Sequence, residues 1–79
     1  MQLEIITPDK KVFSGEVKSV TVPGKNGTFQ VLNNHAPIIS TLKKGIMKYV
    51  TATEGETKIP VKSGVIEVLK NKVIVLLES

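Results

Sequence analysis

Apolar and polar positions alternate along most of the chain. Leu3 and Ile5 are spaced by Gln2 and Glu4, Val20 and Val22 flank Thr21, and Phe29 and Val31 flank Gln30. Met47 and Tyr49 interleave with Ile46, Lys48 and Val50, Ile59 and Val61 interleave with Lys58, Pro60 and Lys62, and Ile66 and Val68 share a face. A period of two with one polar side marks a half-buried antiparallel strand, because successive side chains point to opposite faces. The run from Val73 to Leu77 is apolar on both faces and predicts a central strand. Pro60 has no N–H to give to a ladder, so its run predicts an edge strand or a bulge.

Turn signals separate these runs. Thr7-Pro8-Asp9 reads as a type I turn, Ser14-Gly15 as a second break, and Pro23-Gly24-Lys25-Asn26-Gly27 as a strong turn in which Gly and Asn tolerate positive φ. Asn33-Asn34 through Pro37, Lys44-Gly45, Glu54-Gly55-Glu56, Ser63-Gly64 and Lys70-Asn71 follow. Gly or Pro interrupts almost every helical window. The exception, Val65 to Ser79, is rich in Val and Ile and is split by Lys70-Asn71-Lys72, so it predicts two strands. Eight to ten short strands at this spacing predict an all-β domain, a β-sandwich or flattened β-barrel.

A chain of 79 residues allows one domain. It has no cysteine and one histidine, so neither a disulfide nor a thiolate zinc site is expected, and its stability must come from apolar packing or from partners. The start, Met1-Gln2-Leu3-Glu4, lacks the basic region and apolar run of a signal peptide. No apolar stretch approaches the roughly 20 residues of a spanning helix. Work at a membrane would therefore go through another protein or a headgroup surface.

The net charge of +4 comes from lysine alone; there is no arginine. Nucleic-acid readers lean on arginine forks and on aromatic platforms, and the aromatics here are only Phe13, Phe29 and Tyr49. The lysines are scattered singly or in pairs, which reads as a solvated surface that blunts sheet edges. No nucleic-acid partner is expected.

Catalysis needs several convergent groups. The only imidazole is His35, Ser40 and Thr41 sit in no nucleophile elbow, the seven carboxylates are dispersed, and the Pro23–Gly27 turn does not have the Gly-Lys-Ser/Thr order of a phosphate loop. No catalytic site, cofactor or metal is expected. Ile46-Met47-Lys48-Tyr49 raises an alternative, a biotinyl or lipoyl-type carrier domain modified on Lys48. That reading needs Lys48 at a hairpin tip and a second methionine where Tyr49 stands.

Several landmarks occur together and in order: Phe13-Ser14-Gly15-Glu16-Val17, Val20-Thr21-Val22-Pro23-Gly24 with Gly27, His35-Ala36-Pro37 with Lys44-Gly45, and Gly64-Val65-Ile66-Glu67-Val68. In these, the sequence resembles the N-terminal domain of the epsilon subunits of F-type ATP synthase, a domain shared by the mitochondrial delta subunit. The resemblance spans essentially all 79 residues. It implies a ten-stranded β-sandwich with no catalytic site. It also implies a rotor role in the central stalk, linking the gamma subunit to the membrane c-ring and coupling proton-driven rotation to ATP synthesis.

By the same resemblance, Lys25, Asn26, Gly27 and Thr28 face the c-ring loops, and His35, Ala36, Pro37 and Ser40 lie against gamma. Thr28 stands where many relatives carry an acid, and Asn33-Asn34 stand where they carry Pro-Gly. The implied setting is a monomer within a hetero-oligomer, peripheral to the membrane through other subunits on the cytoplasmic face of the bacterial plasma membrane. The two-helix hairpin that follows this domain in most epsilon subunits has no counterpart in residues 1–79, so hairpin-type inhibition and ATP binding are not expected of them. His35 and its neighbours then read as an interface loop, with Pro37 fixing φ and Ile38 and Ile39 anchoring the next strand.

Overall fold

A computed structural model describes residues 1–78. Nine strands account for the regular structure of these residues: β1 (Gln2–Ile6), β2 (Lys11–Glu16), β3 (Ser19–Gly24), β4 (Gly27–Leu32), β5 (Ile38–Leu42), β6 (Gly45–Thr51), β7 (Gly55–Val61), β8 (Gly64–Leu69) and β9 (Lys72–Leu77). They hydrogen-bond in the order β2-β1-β9-β8-β5-β3-β6-β7, with β4 on the other side of β3. The β3–β5 link is a single pair, Gly24 opposite Leu42. The sheet therefore folds over at that corner into two layers, β2-β1-β9-β8-β5 and β4-β3-β6-β7.

The alternation sets which side chains lie between the layers. Leu3, Ile5, Ile66, Val68, Val73 and Val75 from the five-stranded layer meet Val20, Val22, Val31 and Met47 from the four-stranded one, and all are almost fully buried. Phe13, Phe29, Ile38 and Ile59 close the margins of this single core. No polar or charged residue is buried among the described residues. Sheets packed face to face sit about 10 Å apart, which fits a smallest molecular extent of 18 Å once outward side chains are added.

Several expectations need correction. Among the described residues the strands number nine rather than ten. Residues 33–37 lie outside any strand, with Asn34 left-handed (φ 62°) and Pro37 lacking an N–H. Ser14-Gly15 is not a break but lies inside β2. The ring of Phe13 covers Gly15, 3.1 Å from where a Cβ would stand, so the apolar face continues across the glycine. The chain turns instead at Val17-Lys18.

The strands are also not all antiparallel, since β1 runs parallel to β9. Beside that pair β9 lies between β1 and β8 as its two-faced apolar run predicts, and β7, carrying Pro60, is an edge strand. Of the two isoleucines expected to anchor β5, Ile38 packs on the core and Ile39 points outward, 72% exposed. Adjacent residues of one strand cannot both face the same side.

Candidate interface sites

The turn Lys25-Asn26 is a two-residue hairpin loop between Gly24 and Gly27. Only Gly27 takes positive φ there, at 133°. Strand twist has to be recovered in so short a loop, and a glycine just past it does so without Cβ strain. The loop is tied sideways to β5: the Lys25 N–H donates to the Thr41 carbonyl and the Lys43 N–H to the Pro23 carbonyl, both at 2.9 Å. Lys25, Asn26 and Thr28 are exposed on this tethered hairpin.

His35, Ala36 and Pro37 lie at the opposite end of the sandwich. The His35 N–H donates to the Leu32 carbonyl at 3.2 Å. Its Nδ1 is 2.7 Å from the Ala36 carbonyl, and because a carbonyl only accepts, Nδ1 carries the proton. The Asn34 N–H donates to the Asn71 side-chain oxygen at 2.8 Å. That bond fixes the loop against the β8–β9 hairpin, whose Lys70 and Asn71 both have positive φ, as in a type I′ turn. Beyond Pro37 the surface continues into a shallow depression lined by Ile38, Ile39, Glu67, Val68 and Leu69.

Ser40 falls elsewhere. It is half-buried in mid-β5, donates to the Thr41 carbonyl at 3.1 Å, and shares a depression with Gly24, Asn26, Gly27, Thr28, Phe29 and Ile38. The structure thus groups Ser40 with the Lys25–Thr28 turn rather than with His35. Strand β5 connects the two regions, running about 15 Å from Pro37 to the tethered turn at a rise near 3.3 Å per residue.

Three outward hydrophobics lay outside the sequence-based set. Ile39, Leu69 and Leu76 project from the outer face of the five-stranded layer, Ile39 at 72% and the other two at 49% exposure. Their signal in the sequence is a pair of adjacent apolar residues in each strand, of which one must face out. Lys48 sits in mid-β6 opposite Thr21 and Lys58, not at a hairpin tip, which disfavours the carrier reading. Among the described residues, no three His, Cys, Asp or Glu side chains come together as a metal site, and no helix is long and apolar enough to cross a membrane.

The sequence profile of the family described as ATP synthase, Delta/Epsilon chain, beta-sandwich domain matches residues 1–79. The chain belongs to this family. Among its relatives in the delta/epsilon family, the ATP synthase epsilon chain of Chlorobaculum tepidum is 45% identical over 96% of this chain and 86% of its own length. That of Chlorobium limicola is 42% identical over 98% and 88%. Against the epsilon chain of Pelotomaculum thermopropionicum, at 49% identity, the chain spans 55% of the relative's length. Among solved structures, the central stalk and c-ring of the Tetrahymena thermophila mitochondrial ATP synthase contains a chain that superposes on 99% of this one. Its TM-score is 0.84 at 13% identity, and this chain covers 63% of it. A chain of the Euglena gracilis mitochondrial ATP synthase superposes with TM-score 0.88 at 19% identity, over 95% of this chain and 48% of its own. At those identities the likeness is one of fold. A delta/epsilon chain is a structural part of the ATP synthase, not a catalytic one.

Proposed function

We propose that this chain is a central-stalk rotor subunit of an F-type ATP synthase. Residues 1–79 act as one rigid β-sandwich that holds the gamma subunit on one side and the c-ring loops on another, and so carries proton-driven rotation to ATP synthesis. The observation that carries this reading is the exposed apolar surface continuous with Pro37, where Ile39 and Leu69 stand out from the sheet. Large outward apolar side chains grouped on one face mark a protein contact.

In this reading His35, Ala36 and Pro37 border the gamma contact together with Ile39 and Leu69. Lys25, Asn26, Gly27 and Thr28 meet the ring loops, with Ser40 on the strand between the two contacts. An apolar core without buried polar residues supports a torque-bearing spacer, since close-packed interiors deform little. The location follows from the partners, peripheral on the cytoplasmic face of the bacterial plasma membrane.

Affinity purification of the tagged chain from its own membranes tests the proposal. The expected result is co-purification of a gamma-like coiled-coil subunit, with proton-driven ATP synthesis lost when the chain is depleted and restored when it is returned. Recovery of the chain without such a subunit would remove the reading.

A further inference from the structure

The outer face of the five-stranded layer carries a carboxylate set among apolar side chains. Register fixes its surroundings. Glu67 in β8 stands opposite Ile39 in β5 and opposite Ile74 in β9. Its neighbours on the same face of its own strand, two residues away, are Val65 and Leu69. Directly opposed side chains lie about 4.5–5.5 Å apart at Cβ, so apolar residues frame the acid on all four sides. Beyond Val65 the apolar face continues through Leu76 to Ile6, which pair in turn across β9 and β1.

Two carboxylates lie in this face, and they differ. Glu4, on the far side of Ile74, meets the Lys11 ammonium at 3.3 Å. Glu67 has no ion pair among the described residues, and its diagonal neighbour Lys72, opposite Leu69, does not close on it. Glu67 is exposed, so in the free chain water solvates its charge. It also lines the depression that runs on from Pro37, and therefore lies inside the patch that Ile39 and Leu69 mark for a partner.

We propose that the partner seated on this face brings one basic side chain, set among apolar ones, that pairs with Glu67. An occupant covering Ile39, Leu69 and Ile74 also takes Glu67 out of water. A carboxylate buried without a counter-charge costs enough to cancel much of the gain from the apolar contacts around it. A cation opposite it turns that cost into selectivity, since a wholly apolar or acidic surface is rejected at the same place. The outward isoleucines and leucines then supply affinity, and Glu67 fixes which surface docks and in what register. Arginine fits best, because a guanidinium is weakly hydrated and forks onto a carboxylate. That the occupant is gamma rests on the stalk reading; that it must carry a cation rests on the placement of Glu67.

The sign of one substitution tests this, read by calorimetric titration of gamma, recovered from the same membranes, into the purified chain. Glu67→Gln keeps the shape and removes the charge. With a cation on gamma, the variant leaves that cation buried and unpaired, and binding should weaken by at least about 30-fold. Against a purely apolar gamma surface, the same variant removes a desolvation cost and binding should tighten. Glu67→Lys should weaken binding more than Glu67→Gln does, because it opposes like charges. Glu54→Gln, in the β6–β7 turn of the other layer, should change binding by less than about twofold. All three positions are solvent-facing, and the circular dichroism should not change. Equal or tighter binding of Glu67→Gln would overturn the proposal. So would an equal loss from Lys72→Gln, which would make Lys72 the counter-charge in place of the partner. If the unaltered chain binds no gamma-like subunit, the stalk reading falls and takes this pairing with it; if it binds one and Glu67→Gln loses nothing, the pairing alone falls.

Discussion

The rings of Phe13 and Tyr49 lie 4.4 Å apart between centroids, tilted by 35°, and they belong to different layers. Phe13 comes from β2, at the edge of the five-stranded layer, and Tyr49 from β6 in the four-stranded one. The corner at Gly24 and Leu42 joins the layers by backbone. The aromatic pair joins them by side chains at the β2 margin, where no ladder crosses. Such pairs contribute about 0.5–1.5 kcal/mol beyond the area they bury.

Phe13→Ala should therefore destabilise the domain by about 2–4 kcal/mol, combining lost burial with the opened margin. Urea denaturation should show a lower midpoint with an unchanged slope. A loss under about 0.5 kcal/mol, the range of ordinary surface changes, would mean that the pair does not clasp the layers.

At Gly64 a Cβ would stand 2.4 Å from the Leu76 carbonyl oxygen, a backbone atom in the paired strand β9 that has little room to give. Gly64→Ala should cost about 2 kcal/mol or more by forcing the β8–β9 ladder apart. For a domain of this size that is a fall of roughly 8–16 °C in Tm, which a thermal melt will read.

The β8–β9 hairpin places Lys70 and Asn71 in the left-handed region, at φ 50° and 62°. Asparagine tolerates that region better than lysine, so Lys70→Asn should stabilise by about 0.5 kcal/mol. Asn71→Ala should cost about 1–2 kcal/mol, since it loses both the favourable φ and the acceptor for the Asn34 N–H. Equal midpoints for the two variants would contradict this account of the turn.

For the proposed gamma contact, Ile39→Lys should leave stability within about 0.5 kcal/mol, because Ile39 is exposed and stands opposite Glu67, which a lysine complements. It should reduce recovery of gamma by at least about tenfold, as expected when a charge enters an apolar contact centre. For the proposed ring contact, Lys25→Glu should lower proton pumping in reconstituted membranes several-fold without unfolding the domain. Unchanged pumping and assembly would move the contact away from the Lys25 turn.

The strands, their buried faces and most turns were legible in the sequence because they are local properties. A period of two repeats within five to seven residues, and Gly24 through Gly27 or Lys70-Asn71 can close a hairpin without help from distant residues. Ser14-Gly15 misled for the same reason: its strand continues because Ser14 and Gly15 pair with Glu4 and Leu3 of β1, a distant partner, with Phe13 folded over the glycine. Ile39 misled because an apolar residue next to another reads as core until the facing of β5 is known.

The sequence by itself determined an all-β chain, the residues able to fill its core, and its membership of a family. Tertiary structure alone decided that β1 lies parallel to β9, that Phe13 meets Tyr49, that Ser40 sits by the Lys25 turn rather than by His35, and that Glu67 of β8 stands between Ile39 of β5 and Ile74 of β9. Each of these depends on which distant strands become neighbours and in what register. Such pairing is set by the joint burial of one core, and no short stretch of chain contains that information.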